Sequence, residues 1–228
     1  MAAVTAVSTL LFTLAAWRSE LPEAGTEDRN LLVAVREQWR IVLAGVVILG
    51  GTGFVWQGLF NFYPTYLAET KALTSSTANT VLSATFGAGV PAMFVSGRLA
   101  DRLPVVRYML GLLAGFVALL LAVTAVSGLL GVVAVSLLLG YVIHSLFPAL
   151  DTYLLGSLPD RHRASAYAAY SGVVMFVQAG GSYAVGWLRD AGVAFDFLFR
   201  AFAVGLVAVL AALVLAERLD WLPTSARD

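Results

Sequence analysis

YMLGLLAGFVALLLAVTAVSGLLGVVAVSLLLGYVIHSLFPAL, residues 108–150, contains no Asp, Glu, Lys or Arg. A bilayer core takes roughly 20 apolar residues of helix. This stretch is about twice that length, so it must cross, turn and cross back. Ser127-Gly128 is the natural hairpin tip. The same reading extends outward, because residues 41–68, 72–97 and 164–188 are also free of those four residue types. Of the 228 residues, 60% are hydrophobic and 12% are charged, and mean hydropathy is +0.85. A soluble domain carries about a quarter charged residues.

Seven hydrophobic segments result: 2–17, 41–67, 74–96, 105–125, 131–156, 165–188 and 198–216. None alternates apolar and polar residues as a membrane barrel requires. Lipid leaves helices as the remaining way to satisfy the backbone. The fold class is therefore an all-α membrane protein of about seven transmembrane helices. The first segment lacks the basic n-region of a signal peptide, so residues 1–17 read as a spanning helix. Residues 18–40 mix both charge signs around Pro22 and Gly25, as a solvated cytoplasmic linker does. Residues 41–217 form a six-helix bundle, and residues 218–228 a cytoplasmic tail.

Arginine placement sets the orientation. With the N-terminus outside, the inner side holds Arg18, Arg29, Arg36, Arg40, Arg98, Arg102, Arg107, Arg161, Arg163, Arg218 and Arg227. The outer side holds Lys71, Arg189 and Arg200. This asymmetry puts the C-terminus in the cytoplasm of a multi-pass cell-membrane protein. Trp17, Trp39, Trp187 and Trp221 lie near segment ends, where indoles favour the interface. The chain has no cysteine, which excludes disulfides, thiolate metal sites and thiol catalysis. Its formal net charge of zero suggests no nucleic-acid partner.

The strongest local motif is GRLADRLPVVR, residues 97–107, on a tight inner loop between the third and fourth segments. Gly97 permits close helix approach, and Asp101 can accept from a helix N-terminus or pair with arginine. Read by itself, the loop is either a topology signal or a functional latch. The run resembles the signature G-x-x-x-D-R-x-G-x-R-R of the major facilitator superfamily. In that family it lies between the second and third helices and again, more degenerate, between the eighth and ninth. Gly97, Asp101, Arg102 and Arg107 match; Pro104 and Val106 depart from the pattern. The resemblance implies that the chain corresponds to family helices six to twelve, the C-terminal half. It also implies secondary active transport of a small solute by alternating access, without cofactor or metal. The family builds its cavity between two bundles. The chain is then a fragment, a half that pairs with a separate N-terminal bundle, or a homodimer.

A weak internal repeat agrees. Tyr63-Pro64 is followed by GRLAD at residues 97–101, and Phe147-Pro148 by GWLRD at residues 186–190. Three spans per unit give two inverted three-helix repeats.

Polar residues inside spans carry the most functional information, because lipid penalises them. Gln57 and Asn61 share a face of the second segment. Tyr141, His144, Ser145, Pro148, Asp151 and Thr152 form a stripe on the fifth, and Tyr167, Tyr170, Ser171, Gln178 and Ser182 a looser one on the sixth. Gln57, His144 and Gln178 fall near mid-segment. The expected substrate site is Gln57, Asn61, Tyr141, His144 and Gln178 on one surface, with Phe54, Trp56 and Tyr141 as apolar walls. The competing reading is interhelical hydrogen-bonding glue. Asp151 is expected to pair with Arg161, Arg163, Arg98 or Arg102 and so to join the inner gating motif. Met109–Val123 and Ala201–Leu215 read as lipid-facing; the resemblance implies the same, since its ninth and twelfth helices are peripheral. No basic cluster faces the polar stripes, which disfavours a highly anionic substrate.

Other classes fit less well. A retinal pigment needs a lysine in the last helix, and the single lysine is Lys71. An intramembrane serine protease with Ser171 and His144 would have its histidine on the wrong side of the serine in the chain, and no nucleophile–base–orienter arrangement appears. No channel filter sequence is present. A seven-helix ligand-sensing receptor is the alternative that remains open.

Overall fold

The computed structural model describes residue 13, residues 31–159 and residues 163–222. The expected first helix, 1–17, thus lies outside the described residues apart from Thr13, as do residues 18–30 of the linker. Seven helices follow in order, and no strand occurs among the described residues. Helix α1 is Leu31–Glu37; it packs on α6, and its Ala34 is fully buried. The second half of the expected linker is therefore partly helical.

The six longer helices are α2 (Trp39–Glu69), α3 (Ser75–Ala100), α4 (Val105–Ala125), α5 (Leu129–Ser157), α6 (Arg163–Asp190) and α7 (Phe195–Arg218). Three of them begin where the sequence supplies a signal. The Thr74 hydroxyl accepts the Thr77 N–H at 3.2 Å and caps α3. Gly128, at the expected hairpin tip, has φ +77°, which an L side chain rarely adopts. Pro104 immediately precedes α4, where its missing N–H is harmless.

Five helices, α2, α3, α4, α5 and α7, are long and apolar enough to cross a membrane. Helix α6 is as long but more polar. It lies parallel to α2 along its length: Tyr170 meets Gly45, Val177 meets Gly50, Val185 meets Gly58, and Arg189 reaches Glu69. It therefore traverses the same thickness as α2.

The two most extensive crossings are α3 with α5 and α2 with α6. Exchanging the first three long helices for the last three maps one of these crossings onto the other. It also maps the α4–α5 contact onto the α7–α2 contact. That is the pairing an inverted repeat produces. Both crossings are close enough to exclude a side chain. A Cβ on Gly181 would collide with the Phe54 carbonyl, and one on Gly140 with the Thr85 carbonyl. Small residues at such points let backbones approach, which is what drives helix association where lipid is as apolar as leucine.

Helices α4 and α7 pack one face inward, through Leu113, Phe116 and Leu120 and through Phe199, Ala203 and Leu206. Their other faces stay exposed, as the absence of polar side chains there predicts.

The basic residues sort by end. Arg107 Nε pairs with Glu217 at 3.2 Å, and Trp39 meets Trp221 edge-on at that same end. At the opposite end Arg189 pairs with Glu69 at 2.7 Å. Lys71 Nζ donates there to the Thr124 and Val126 carbonyls at 3.1 and 2.8 Å, and Arg200 Nε donates to Thr124 Oγ1 at 3.1 Å. Burial, helped by Arg200, holds the Lys71 ammonium below its ordinary value, with Asp196 pulling the other way.

Candidate functional site

Gln57 and Asn61 lie one turn apart on α2 and face α6. The Asn61 amide donates to Ser182 Oγ and, at 3.4 Å, to Gln57 Oε1. Ser182 Oγ in turn donates to the Gln57 main-chain carbonyl at 3.1 Å. Asn61 is nonetheless exposed and Gln57 half-buried. The cluster thus presents uncharged amide groups at the bundle surface, about two turns inside a spanning helix.

Gln178 sits one turn before Ser182 on α6. Its Nε2 donates to the Leu49 carbonyl at 3.4 Å, and its side chain occupies the space left by Gly53. Three of the five expected site residues therefore meet at the α2–α6 crossing.

His144 lies in other surroundings. It is 8% exposed and packs over Gly89 of α3, where a Cβ would strike the ring. Its Nδ1 is 2.7 Å from the Gly140 carbonyl. A carbonyl only accepts, so Nδ1 donates to it. The ring meets Trp56 edge-on at 5.0 Å and Phe86 at 5.7 Å. Tyr141 is half-buried on the preceding turn of α5. Trp56 and Gln57 are neighbours, about 100° apart on the helix. Helix α2 thus turns an indole toward α3 and α5 and an amide toward α6. The expected residues form two groups on either side of α2 rather than one hydrogen-bonded set.

Two features go beyond the residues expected from the sequence. Ser182, a member of the looser polar stripe of α6, joins the amide cluster. Helix α3 carries an exposed polar stripe, Ser76, Asn79, Thr80 and Ser83, whose i, i+3 and i+4 spacing was legible. Thr80 and Ser83 donate back to the Ser76 and Asn79 carbonyls at 2.9 and 3.0 Å, leaving their lone pairs outward.

Asp151 accepts a hydrogen bond from Tyr167 Oη at 2.9 Å. Arg161, one of its expected arginine partners, lies outside the described residues. Tyr170, on the next turn of α6, buries its hydroxyl without a hydrogen-bond partner among the described residues. One expectation about the end that carries Arg107 is corrected. Gly97 does not mediate a close helix approach within this bundle, because a Cβ there would meet open space. The loop that follows is turned by the Asp101 N–H on the Gly97 carbonyl at 3.2 Å and the Leu103 N–H on the Leu99 carbonyl at 2.9 Å. Asp101 and Arg102 are exposed, and Arg107 makes the ion pair with Glu217.

No group of three or more His, Cys, Asp or Glu side chains is placed to hold a metal among the described residues. Two overlapping stretches of the chain, residues 1–176 and 48–228, match the family model described as Major Facilitator Superfamily. No curated protein matches the chain.

Proposed function

We propose, because the chain belongs to the Major Facilitator Superfamily, that it is the C-terminal bundle of a secondary transporter. Members of this family are membrane transporters rather than enzymes, and the chain is a multi-pass membrane protein. In this reading the bundle moves a small solute across the cell membrane by rocking against a second bundle around a midplane site.

The observation that carries the reading is the exposed Asn61 amide, tied to Gln57 and Ser182 on a spanning helix. Lipid offers no hydrogen bonds, so such a group belongs at a water-filled cavity. The cluster is uncharged, which suits a neutral or weakly charged polar solute. Trp56, Tyr141 and Phe54 supply apolar walls, with His144 packed behind Trp56.

The exposed apolar faces of α3 (Val90, Phe94) and α6 (Met175, Phe176) support a second, N-terminal bundle as the missing partner. The open flank of Gly97 suits the same role, with Asp101, Arg102 and Arg107 as the inner latch. The arginine distribution supports an outer N-terminus and a cytoplasmic C-terminus.

The test is uptake and binding in proteoliposomes with the second bundle present. Gln57→Ala and Asn61→Ala should each weaken solute binding while leaving the helical fold intact, and the chain alone should transport nothing. Normal binding by both variants would remove the site. Saturable uptake by the isolated monomer would remove the second bundle from the mechanism.

A further inference from the structure

The N-terminal half of α2 is not a plain α-helix. Val46–Gly50 forms a π-helical turn between the α-helical stretches Trp39–Gly45 and Gly51–Glu69. Such a turn is one residue's worth of extra backbone, and it recurs at functional positions. Each carbonyl has two lone pairs, so a carbonyl at this turn can take a donor from a side chain as well.

Two carbonyls here do so. Thr52 Oγ1 donates to the Ile48 carbonyl at 2.6 Å, and Gln178 Nε2 to the Leu49 carbonyl at 3.4 Å. The first bond lies within α2 and moves with it. The second comes from α6 and is long for a hydrogen bond, hence weak. One turn further along α6, Ser182 holds the Gln57 carbonyl at 3.1 Å, with Asn61 closing that cluster. Helix α6 therefore grips α2 at two carbonyls that straddle Gly51 and Gly53. The Ser182 grip is reinforced; the Gln178 grip stands alone.

We propose that Val46–Gly50 is the hinge of α2, and that Gln178 is a positioning residue which pins it. Bending at the π turn opens the Gln178–Leu49 bond first. The Gln57–Asn61–Ser182 cluster keeps Gly51–Glu69 joined to α6, so Trp39–Gly45 swings relative to that unit, and the pin sets the angle between them. Gly53 belongs to the device, since a side chain there would expel Gln178 from its seat. This assigns Gln178 to holding the site wall rather than to touching solute. It rests on packing alone, not on the transport reading.

The test is peptide-resolved amide hydrogen exchange of the purified chain in lipid nanodiscs. Gln178→Ala should raise exchange across residues 46–54 about fivefold, the worth of one modest hydrogen bond, with little change elsewhere in α2. Gly53→Ala should mimic it, and Ser182→Ala should not. Gln178→Glu is nearly isosteric and adds a readout that packing does not move. A protonated carboxyl can donate to Leu49 and a carboxylate cannot. After correction for intrinsic rates, protection of residues 46–54 in that variant should be present in acid and lost as pH rises, with no such step in the parent. The residues set against Gln178 on α2, Leu49 and Gly53, do not titrate. Unchanged exchange at residues 46–54 in Gln178→Ala would overturn the pin, as would a uniform rise along all of α2 or a Gln178→Glu profile without a pH step. No transport is measured, so a failed pin and a failed transport reading remain distinguishable.

Discussion

The α2–α6 and α3–α5 crossings share a backbone plan and differ in what fills it. In each, a glycine of one helix lies against a main-chain carbonyl of the other, Gly181 on Phe54 and Gly140 on Thr85. In each, a longer side chain nests over a second glycine, Gln178 over Gly53 and His144 over Gly89. Around those shared contacts the chemistry diverges. The α2–α6 side carries amides and a hydroxyl that bond across helices and reach the surface. The α3–α5 side carries an imidazole closed in by Trp56 and Phe86. Close approach is thus a property of the repeat, whereas amide hydrogen bonding that reaches the surface is a property of one copy; across α3–α5 the Ser96 hydroxyl donates instead to the buried Ser145 carbonyl. A duplicated scaffold can keep its packing points and still place different chemistry at each.

The largest expected effects test the shared part. Gly181→Leu and Gly140→Leu should each destabilise the bundle by about 3 kcal/mol or more, because a side chain must displace backbone rather than a rotamer. Denaturant unfolding in mixed micelles measures both. Tolerance of one substitution and collapse of the other would show that the crossings are not equivalent.

The next effect tests the aromatic side. His144→Ala removes a buried ring from contact with Trp56 and Phe86 and leaves a cavity, so it should cost about 2–4 kcal/mol in the same assay. A loss below about 1 kcal/mol would mean that the ring is not a packing element, and the contrast between the crossings would weaken.

The polar side should respond less. In membranes, interhelical side-chain hydrogen bonds average about 0.6 kcal/mol. A double-mutant cycle of Asn61→Ala and Ser182→Ala should return a coupling of that order, up to about 1.7 kcal/mol. A cycle with no coupling would separate the two residues that define the cluster.

The smallest effect lies away from both crossings. Arg107→Ala removes an ion pair whose arginine is 78% exposed, so the change in stability should be about 0–1 kcal/mol and should fade in high salt. A larger, salt-independent loss would give the loop before α4 a structural role beyond that pair.

Much of the fold was legible because lipid imposes a simple rule. Charge-free runs of spanning length must be helices, and Ser127-Gly128 is where the longest of them has to turn. The site was legible in part. Gln57 and Asn61 announce a shared face through their spacing, a local property of the helix. Their partner Ser182 lies 121 residues from Asn61 and had no local signal strong enough to pair it. Asp151 likewise meets Tyr167 across α5 and α6, a contact set by helix rotation rather than by nearness in sequence.

The sequence by itself determined that this chain is helical and membrane-spanning, that most of its basic residues fall on alternate loops, and that its loop motif resembles one family. Hydropathy and charge act residue by residue, so composition and order suffice. Only the tertiary structure decided which faces meet. It set Trp56 toward His144 while Gln57 meets Ser182, placed a π turn in α2, and left the flank of Gly97 open. Those outcomes depend on rotations and crossing points shared between helices far apart in the chain. Steric contacts at a few glycines fix them, and no single segment encodes them.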